Sequence, residues 1–358
     1  MRKEYLLVLD VGTETVKALI LRKKEILGLG KEYYERFGVF DGRDFQKDII
    51  KKAILGAVDK AQGQAEIKVK PVLLGLPADV LKIRVTFQKF RRENSKKIIG
   101  AKEKKEIHQK ILTGAKKDIA RIFCQDSGIL AQDLEFLNLE ILEVKIDGYQ
   151  VPGISGYDGE NLEFRILASF TPKYYLENFR KIINNLGFKI VKIVHPAQNL
   201  SSVLGRERPT GIFLDIGGKI TQIFLMKNGK LEKIEEIKNG GKDFSEALSQ
   251  TLGVSERRAR ILKERYSRGL ISKESKSRLK EIFSGPLQDW FGNLKVKLIT
   301  MKGLISSNIF IFGGGSLLPE IEDILSEGGY RVKFIRFFNN PQNTTLLLLS
   351  YYAQKENF

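Results

Sequence analysis

Apolar positions recur along this chain in two periods, and their succession predicts a mixed α/β protein. Leu6-Leu7-Val8-Leu9 is an unbroken apolar run that ends in Asp10-Val11-Gly12 and resumes at Val16, Ala18, Leu19 and Ile20. A run closed by a glycine turn and followed by β-branched and apolar residues predicts a buried strand, a tight turn and an antiparallel partner over residues 5–22, with a continuing strand pair over Lys23–Tyr33. The phrase returns 205 residues later, as Ile212-Phe213-Leu214-Asp215-Ile216-Gly217-Gly218 followed by Ile220-Thr221-Gln222. One Asp-x-Gly is ordinary turn chemistry. Two at matching places predict a duplicated fold.

Between the copies the period changes. Phe45, Ile49, Ile50, Ala53, Ile54, Ala57 and Val58 predict a helix over Asp44–Gln62, and Val69–Leu76 is a short apolar run closed by Pro77. A strand over Val80–Phe87, a basic segment, a helix over Glu103–Phe123, a strand over Phe136–Ile146, a turn at Asp147-Gly148 and a strand over Leu162–Phe170 read as a small α+β insertion. Then come a helix over Pro172–Leu186 capped by Gly187, a strand over Phe188–Val194 and a short helix over Ala197–Leu204. The second hairpin runs from Gly211 past an Asn228-Gly229 turn. Phe244–Leu252, Ser255–Tyr266 (Ser255 as N-cap) and Lys273–Leu304 read as helices. Asn308–Phe312 reads as a strand, with helices over Pro319–Leu325 and Thr344–Ala353. The expected division is a first half in two parts (1–76 and 171–209, the latter with a linker helix) around an insertion (77–170). A second half follows in two parts (210–241 and 307–340) around a helical insert (242–306), and a closing helix (341–358) ends the chain.

Composition narrows the class. The chain has 358 residues, 42% hydrophobic and 29% charged, which suits a soluble protein with more than one core. It has no apolar run of about 18 residues that could span a membrane. Met1-Arg2-Lys3-Glu4-Tyr5 runs straight into the first strand, which predicts no signal peptide. Cys124 is the only cysteine and there are two histidines, which argues against disulfides and zinc and fits a reducing cytoplasm. The net charge is +18, and Lys82–Arg121 carries fourteen Lys/Arg against four Asp/Glu. That stretch could meet an anionic membrane surface or an acidic partner, or be a solvated helix face in a lysine-rich chain. Its only aromatics are Phe87 and Phe90, which argues against a nucleic-acid surface.

Three places in the chain suit one anionic ligand. Glycine at a hairpin turn lets backbone N–H groups approach phosphate, and a strand-end carboxylate can hold a hydrated Mg²⁺ that binds phosphate in turn. Asp10 and Asp215 fit the metal role through water, although either could simply cap its turn. Gly12, Gly217 and Gly218 fit the turn role. Thr13, Thr15 and Thr221 offer hydroxyls, or are plain β-formers. The third place is Gly313-Gly314-Gly315-Ser316, between a strand and a helix start.

The order of hairpin, linker helix, second hairpin, helical insert and glycine turn resembles the actin-like ATPase superfamily over essentially the whole chain. Within it, the chain is similar to the bacterial cell-division protein FtsA and the type IV pilus protein PilM. The stretch Glu143–Gly148, Val151–Gly159 and Leu162-Glu163-Phe164 resembles the inserted domain of FtsA. Asn239-Gly240-Gly241-Lys242-Asp243, Ala259–Lys263 and Pro341–Tyr352 resemble other family segments. The resemblance implies a duplicated actin-like (ribonuclease H-like) ATPase fold of the α/β class, with a small inserted α+β domain of SHS2 type. It implies ATP with Mg²⁺ between the halves, held by Asp10, Gly12, Thr13, Thr15, Lys17, Asp215, Gly217, Gly218, Thr221, Gly241, Lys263 and Gly313–Ser316. Lys263 could equally be a solvated helix lysine.

Several positions depart from the family pattern. Gln222 stands where FtsA usually has Asp, and Arg260 where a Glu commonly precedes the nucleotide-facing Lys by three. His195-Pro196 stands where Gln or Glu would orient the attacking water, so His195 is the candidate catalytic residue and hydrolysis is expected to be slow or absent. Lys17 agrees better with PilM. The insert at 242–306 is shorter than in FtsA. The end, Gln354-Lys355-Glu356-Asn357-Phe358, predicts no terminal amphipathic membrane helix. The implied function is an FtsA-like adaptor of cell division in the cytoplasm, at the inner face of the membrane. It would partner a tubulin-like filament protein or its own copies. The alternatives are a PilM-like component that binds the peptide of a pilus membrane protein, and a metabolite kinase.

Overall fold

A computed structural model describes residues 5–40, 45–204, 209–301, 308–335 and 341–355. The predicted helix start at Asp44, helix end at Leu304, and the termini Met1–Glu4 and Glu356–Phe358 lie outside these residues. The chain divides into two compact units, one of Met1–Asp79 with Asn178–Phe358 and one of Val80–Glu177.

In chain order the elements are β1 (Tyr5–Val11), β2 (Thr15–Arg22), β3 (Glu25–Tyr33), α1 (Lys47–Ala65) and β4 (Pro71–Gly75). The inserted unit follows with β5 (Lys82–Arg91), α2 (Ala101–Ser127), β6 (Leu134–Ile146), β7 (Tyr149–Val151) and β8 (Asn161–Pro172). Next are α3 (Lys173–Asn185), β9 (Lys189–Ile193), a 3₁₀ turn at Pro196–Asn199 and α4 (Leu200–Leu204). Then come β10 (Gly211–Ile216), β11 (Thr221–Lys227), β12 (Lys230–Ile237), α5 (Gly241–Leu252), α6 (Glu256–Ser267) and α7 (Lys273–Ile299). Last are β13 (Asn308–Phe312), α8 (Pro319–Glu327), β14 (Arg331–Phe334) and α9 (Thr344–Lys355).

The repeat seen in the sequence is a repeat of topology. One five-stranded sheet has the order β3-β2-β1-β4-β9 and the other β12-β11-β10-β13-β14. Each opens with an antiparallel hairpin whose aspartate faces the residue seven positions on, Asp10 opposite Lys17 and Asp215 opposite Gln222. Each aspartate strand then pairs in parallel with the next, Asp10 beside Gly75 and Asp215 beside Phe312. Both carboxylates thus leave their sheets at the carboxyl end of a central strand, where open α/β sheets bind ligands. Strand β14 was not predicted, because Arg-Val-Lys-Phe at a half-exposed sheet edge carries little apolar signal.

Two cores support these sheets. In the first half, Leu6, Val8, Leu19, Leu21 and Leu73 pack with Leu346 and Leu349 of α9. The leucine run of α9 is therefore buried against the sheet, and Asn199 Nδ2 in the linker donates to the Leu348 carbonyl at 3.0 Å. In the second half, Ile212, Leu214 and Ile216 pack with Phe283, Trp290 and Leu294 of α7. Trp290 is fully buried, as expected of a core residue, and its indole N–H donates to Thr221 Oγ1 at 2.9 Å.

The inserted unit has a four-stranded antiparallel sheet, β5-β8-β6-β7, with α2 on one face. Ile107, Ile111, Ala115 and Ile119, spaced four residues apart, bury one stripe of α2. This helix runs longer than its apolar pattern suggests and stops at Gly128, whose φ of 72° forms the left-handed cap. Buried Arg92 is fixed by Glu103 and by the carbonyls of Gly159 and Lys97. Among the described residues, no helix is long and apolar enough to cross a membrane.

Candidate functional site

The hairpin turns, the linker, α6 and the glycine turn after β13 enclose one cleft of about 140 Å³. Of the residues singled out from sequence, Asp10, Gly12, Thr13, Thr15, Lys17, His195, Asp215, Gly217, Gly218, Lys263, Gly313, Gly314 and Gly315 line it.

Carboxylates and cations alternate around this space. Asp10 Oδ2 accepts from Lys17 Nζ at 3.1 Å and from Thr345 Oγ1 at 2.7 Å, so α9 closes this side of the cleft. Desolvation pushes the Asp215 carboxyl up to about 7; Lys17 opposes the shift and the Asp10 charge adds to it. Two mutually repelling carboxylates served by one ammonium form a site that gains from a further cation. Among the described residues no group of three or more His, Cys, Asp or Glu could cage a metal, so a cation here would meet Asp10 and Asp215 with water completing its shell.

The turns are built alike. Gly12 N–H donates to the Thr15 carbonyl at 2.9 Å, and Gly217 N–H to the Ile220 carbonyl at 3.1 Å. These two amides close their own hairpins rather than facing the cleft. The tips touch: Lys219 N–H donates to Thr13 Oγ1 at 3.1 Å, and a Cβ on Gly218 would lie 2.5 Å from that oxygen. Gly313 has a φ of 89°, and a Cβ there would lie 2.4 Å from Asp215 Oδ1 and 2.6 Å from the Ile216 carbonyl, so only glycine fits. Gly314 opens onto free space.

Four expectations need correction. Thr221 is fully buried, with its hydroxyl between the Asn239 carbonyl and the Trp290 indole, and it does not reach the cleft. Ser316 is also buried, turned back onto the Gly313 carbonyl at 2.8 Å. Gly241 starts α5 behind the second turn, its N–H on the Gly217 carbonyl at 2.8 Å and its own carbonyl on Lys263 Nζ. His195 lines the cleft but is committed elsewhere. Its Nδ1 accepts from Ala197 N–H at 3.1 Å, capping the 3₁₀ turn, and its Nε2 lies 3.3 Å from Gln222 Nε2. With Nδ1 on a backbone N–H, His195 orders the linker turn.

Sequence reasoning picked out Lys263 but missed the polar cluster around it on the other wall. Lys263 is 7% exposed, so it is no solvated helix lysine, and it meets Glu14 Oε2 at 3.3 Å. Arg260 is 2% exposed, donates to the Tyr34 carbonyl and lies 4.3 Å from the Phe37 ring. Glu264 accepts from Lys31 Nζ at 3.0 Å and from Tyr33 Oη, and Lys31 also reaches Gln342 Oε1 at 3.0 Å. Desolvation lowers Lys31, against the pull of Glu264, and raises Tyr33, with the Glu264 hydrogen bond adding to the rise. Lys31 and Tyr33 share one face of β3 by period two, and Arg260, Lys263 and Glu264 share one face of α6. Those periods mark common faces, but not that the faces meet.

Comparison with known proteins fits this architecture. No protein-family model matches the chain. The cell division protein FtsA of Streptococcus pneumoniae serotype 2 (strain D39 / NCTC 7466) is 26% identical over 358 aligned positions, 93% of this chain and 75% of that protein. FtsA of Enterococcus hirae is 24% identical over 348, covering 89% of this chain and 75% of its own length. Among solved structures, a chain of a PilM-PilN type IV pilus biogenesis complex superposes with a TM-score of 0.69 at 15% identity, covering 99% of both chains. The chain is thus similar in sequence to FtsA proteins along most of its length and shares the fold of the PilM-complex chain. Its two sheets are the halves of the duplicated actin-like fold, and the aspartate hairpins are their matching first elements.

Proposed function

We propose that the chain binds ATP with Mg²⁺ in the cleft between its halves and acts as an FtsA-like assembly adaptor in bacterial cell division. It would work in the cytoplasm at the inner face of the membrane. The observation that carries the nucleotide reading is the pair of like-built hairpins that turn Asp10 and Asp215 onto one cleft, with the Asp215 carboxyl pushed up to about 7. A hydrated Mg²⁺ would rest between those carboxylates and supply the positive charge that phosphates need. Thr13, Thr15 and Gly218 would face the phosphates, Gly313–Gly315 the nucleoside, and Lys263 an anionic or hydroxyl group of the ligand. Turnover is slow, because the Nδ1 of His195 is held by the Ala197 amide and the ring serves the linker turn rather than as a base. The same commitment weakens the metabolite-kinase reading, which would need a base for a substrate hydroxyl.

The division role is supported by likeness to two FtsA proteins over most of the chain. In this reading the inserted unit is of SHS2 type and docks partners, a tubulin-like filament protein or further copies of the chain. Its basic stretch Lys82–Arg121 adds attraction to anionic lipid. A second reading, a PilM-like component that takes the peptide of a pilus membrane protein, is supported by the fold match along the whole of a PilM-complex chain. Co-purification from native cells separates them: recovery of a tubulin-like division protein supports the first, and recovery of pilus membrane proteins with none from division overturns it.

A further inference from the structure

We infer that Glu14 is an internal competitor for the cleft: its carboxylate holds Lys263 and Arg260 in place of a ligand phosphate, and an entering polyphosphate must displace it. The inference rests on the nucleotide reading above and concerns the regulation of that site.

Glu14 sits at the tip of the first hairpin, between the two threonines. A turn that cradles phosphate gains from small or hydroxyl residues, whereas a carboxylate there repels the ligand. It is not solvated instead. Its Oε2 lies 3.3 Å from Lys263 Nζ and its Oε1 3.6 Å from Arg260 Nε, both on α6 of the second half.

The pairing is incomplete. At 3.6 Å the Arg260 contact is an ion pair without hydrogen-bond geometry, and Arg260 Nε, Arg260 Nη2 and Glu14 Oε1 are all buried with no hydrogen-bond partner. A guanidinium that is 2% exposed with two idle N–H positions lines the cleft. Such a fork is built to take two oxygens of a phosphate or carboxylate, and Glu14 gives it less than that. A phosphate brings more acceptor oxygens and more charge to the same seat.

Displacement and opening are one event. Glu14 Cγ would lie 2.7 Å from a Cβ on Gly218, and Thr13 receives the Lys219 amide, so the ion pair and the tip contact close the same gap. The cleft's 140 Å³ falls short of the roughly 300 Å³ at the low end of small-molecule pockets. Moving Glu14 off α6 leaves Lys263 and Arg260 without a carboxylate partner at the cleft and lets the tips part. Glu14 therefore sets the threshold that a ligand's negative charge must exceed.

The test is calorimetric titration of the full chain with ATP·Mg²⁺ and, separately, with tripolyphosphate, comparing the parent with Glu14→Gln and Glu14→Thr. Both variants should bind both ligands roughly tenfold more tightly, the equivalent of about 1.4 kcal/mol. Arg260→Gln should weaken tripolyphosphate by a similar factor. Without ligand, the Lys219 amide should exchange hydrogen faster in the Glu14 variants, a readout independent of binding. If the parent binds ATP and both Glu14 variants bind it equally or more weakly, the competitor role is overturned while the nucleotide reading stands. If no form binds either ligand, the nucleotide reading falls and this inference with it.

Discussion

Replacing Asp215 by asparagine removes a carboxyl that desolvation pushes from an ordinary 3.8 up to about 7. The sign follows from linkage. An acid whose folded-state value exceeds its unfolded value keeps its proton longer in the folded chain, so folding is favoured at low pH and loses stability as pH rises from about 4 to 7. That rise corresponds to about 4 kcal/mol lost by pH 8, of which about 2 kcal/mol is already lost at pH 5. Asparagine keeps the shape and carries no charge, so Asp215→Asn should raise stability by those amounts. The larger gain is on the order of 10 °C in melting temperature for a unit of this size. The assay is thermal unfolding of parent and variant at pH 5 and pH 8 without nucleotide. A gain that is equal at both pH values, or a loss at pH 8, would refute the claim that this carboxylate is held against its own desolvation.

Other expectations are simpler. Gly313→Ala places a Cβ on a left-handed backbone and 2.4 Å from Asp215 Oδ1, so it should cost on the order of 1–3 kcal/mol in thermal or urea unfolding, and a neutral result would deny the strain. Steady-state phosphate release should run well below the ~10 s⁻¹ typical of enzymes, and faster turnover by His195→Gln would show that the linker position governs it. Flotation with anionic liposomes should be salt-sensitive and should fall when Lys96, Lys97, Lys102, Lys104 and Lys105 become Gln, since each lysine near the surface adds about 1 kcal/mol. Binding that survives both treatments would exclude the basic route.

Much of this fold was legible because its signals are local. The Asp-x-Gly phrase, the leucine run of α9 and the four-residue spacing in α2 each act within a single element, and the sheets repeat as the phrases do. The lining of the cleft was legible where a residue's place in a turn fixes its direction, as at Asp10, Gly12, Asp215 and Gly313. That legibility failed at Thr221 and Ser316, one position beyond a turn, where a hydroxyl can point into the cleft or back into the core. Here Trp290, the Asn239 carbonyl and the Gly313 carbonyl decide that direction. The Glu14–Lys263 contact joins residues 249 positions apart, and Lys31–Glu264 joins residues 233 apart. No periodicity within either segment reports on such a meeting. His195 shows the same limit: the residue type allowed a base, and only the Ala197 amide on its Nδ1 assigns it to the cap.

The central claim is that the two duplicated aspartates anchor a nucleotide through a hydrated metal. Calorimetry with ATP on the purified chain, in Mg²⁺ and then in EDTA, tests it most directly on the parent, Asp10→Ala and Asp215→Ala. The account predicts that the parent binds ATP, that each substitution weakens binding, and that the loss is larger with Mg²⁺ than with EDTA because the carboxylates act through the ion. Unchanged affinity in both variants would contradict it.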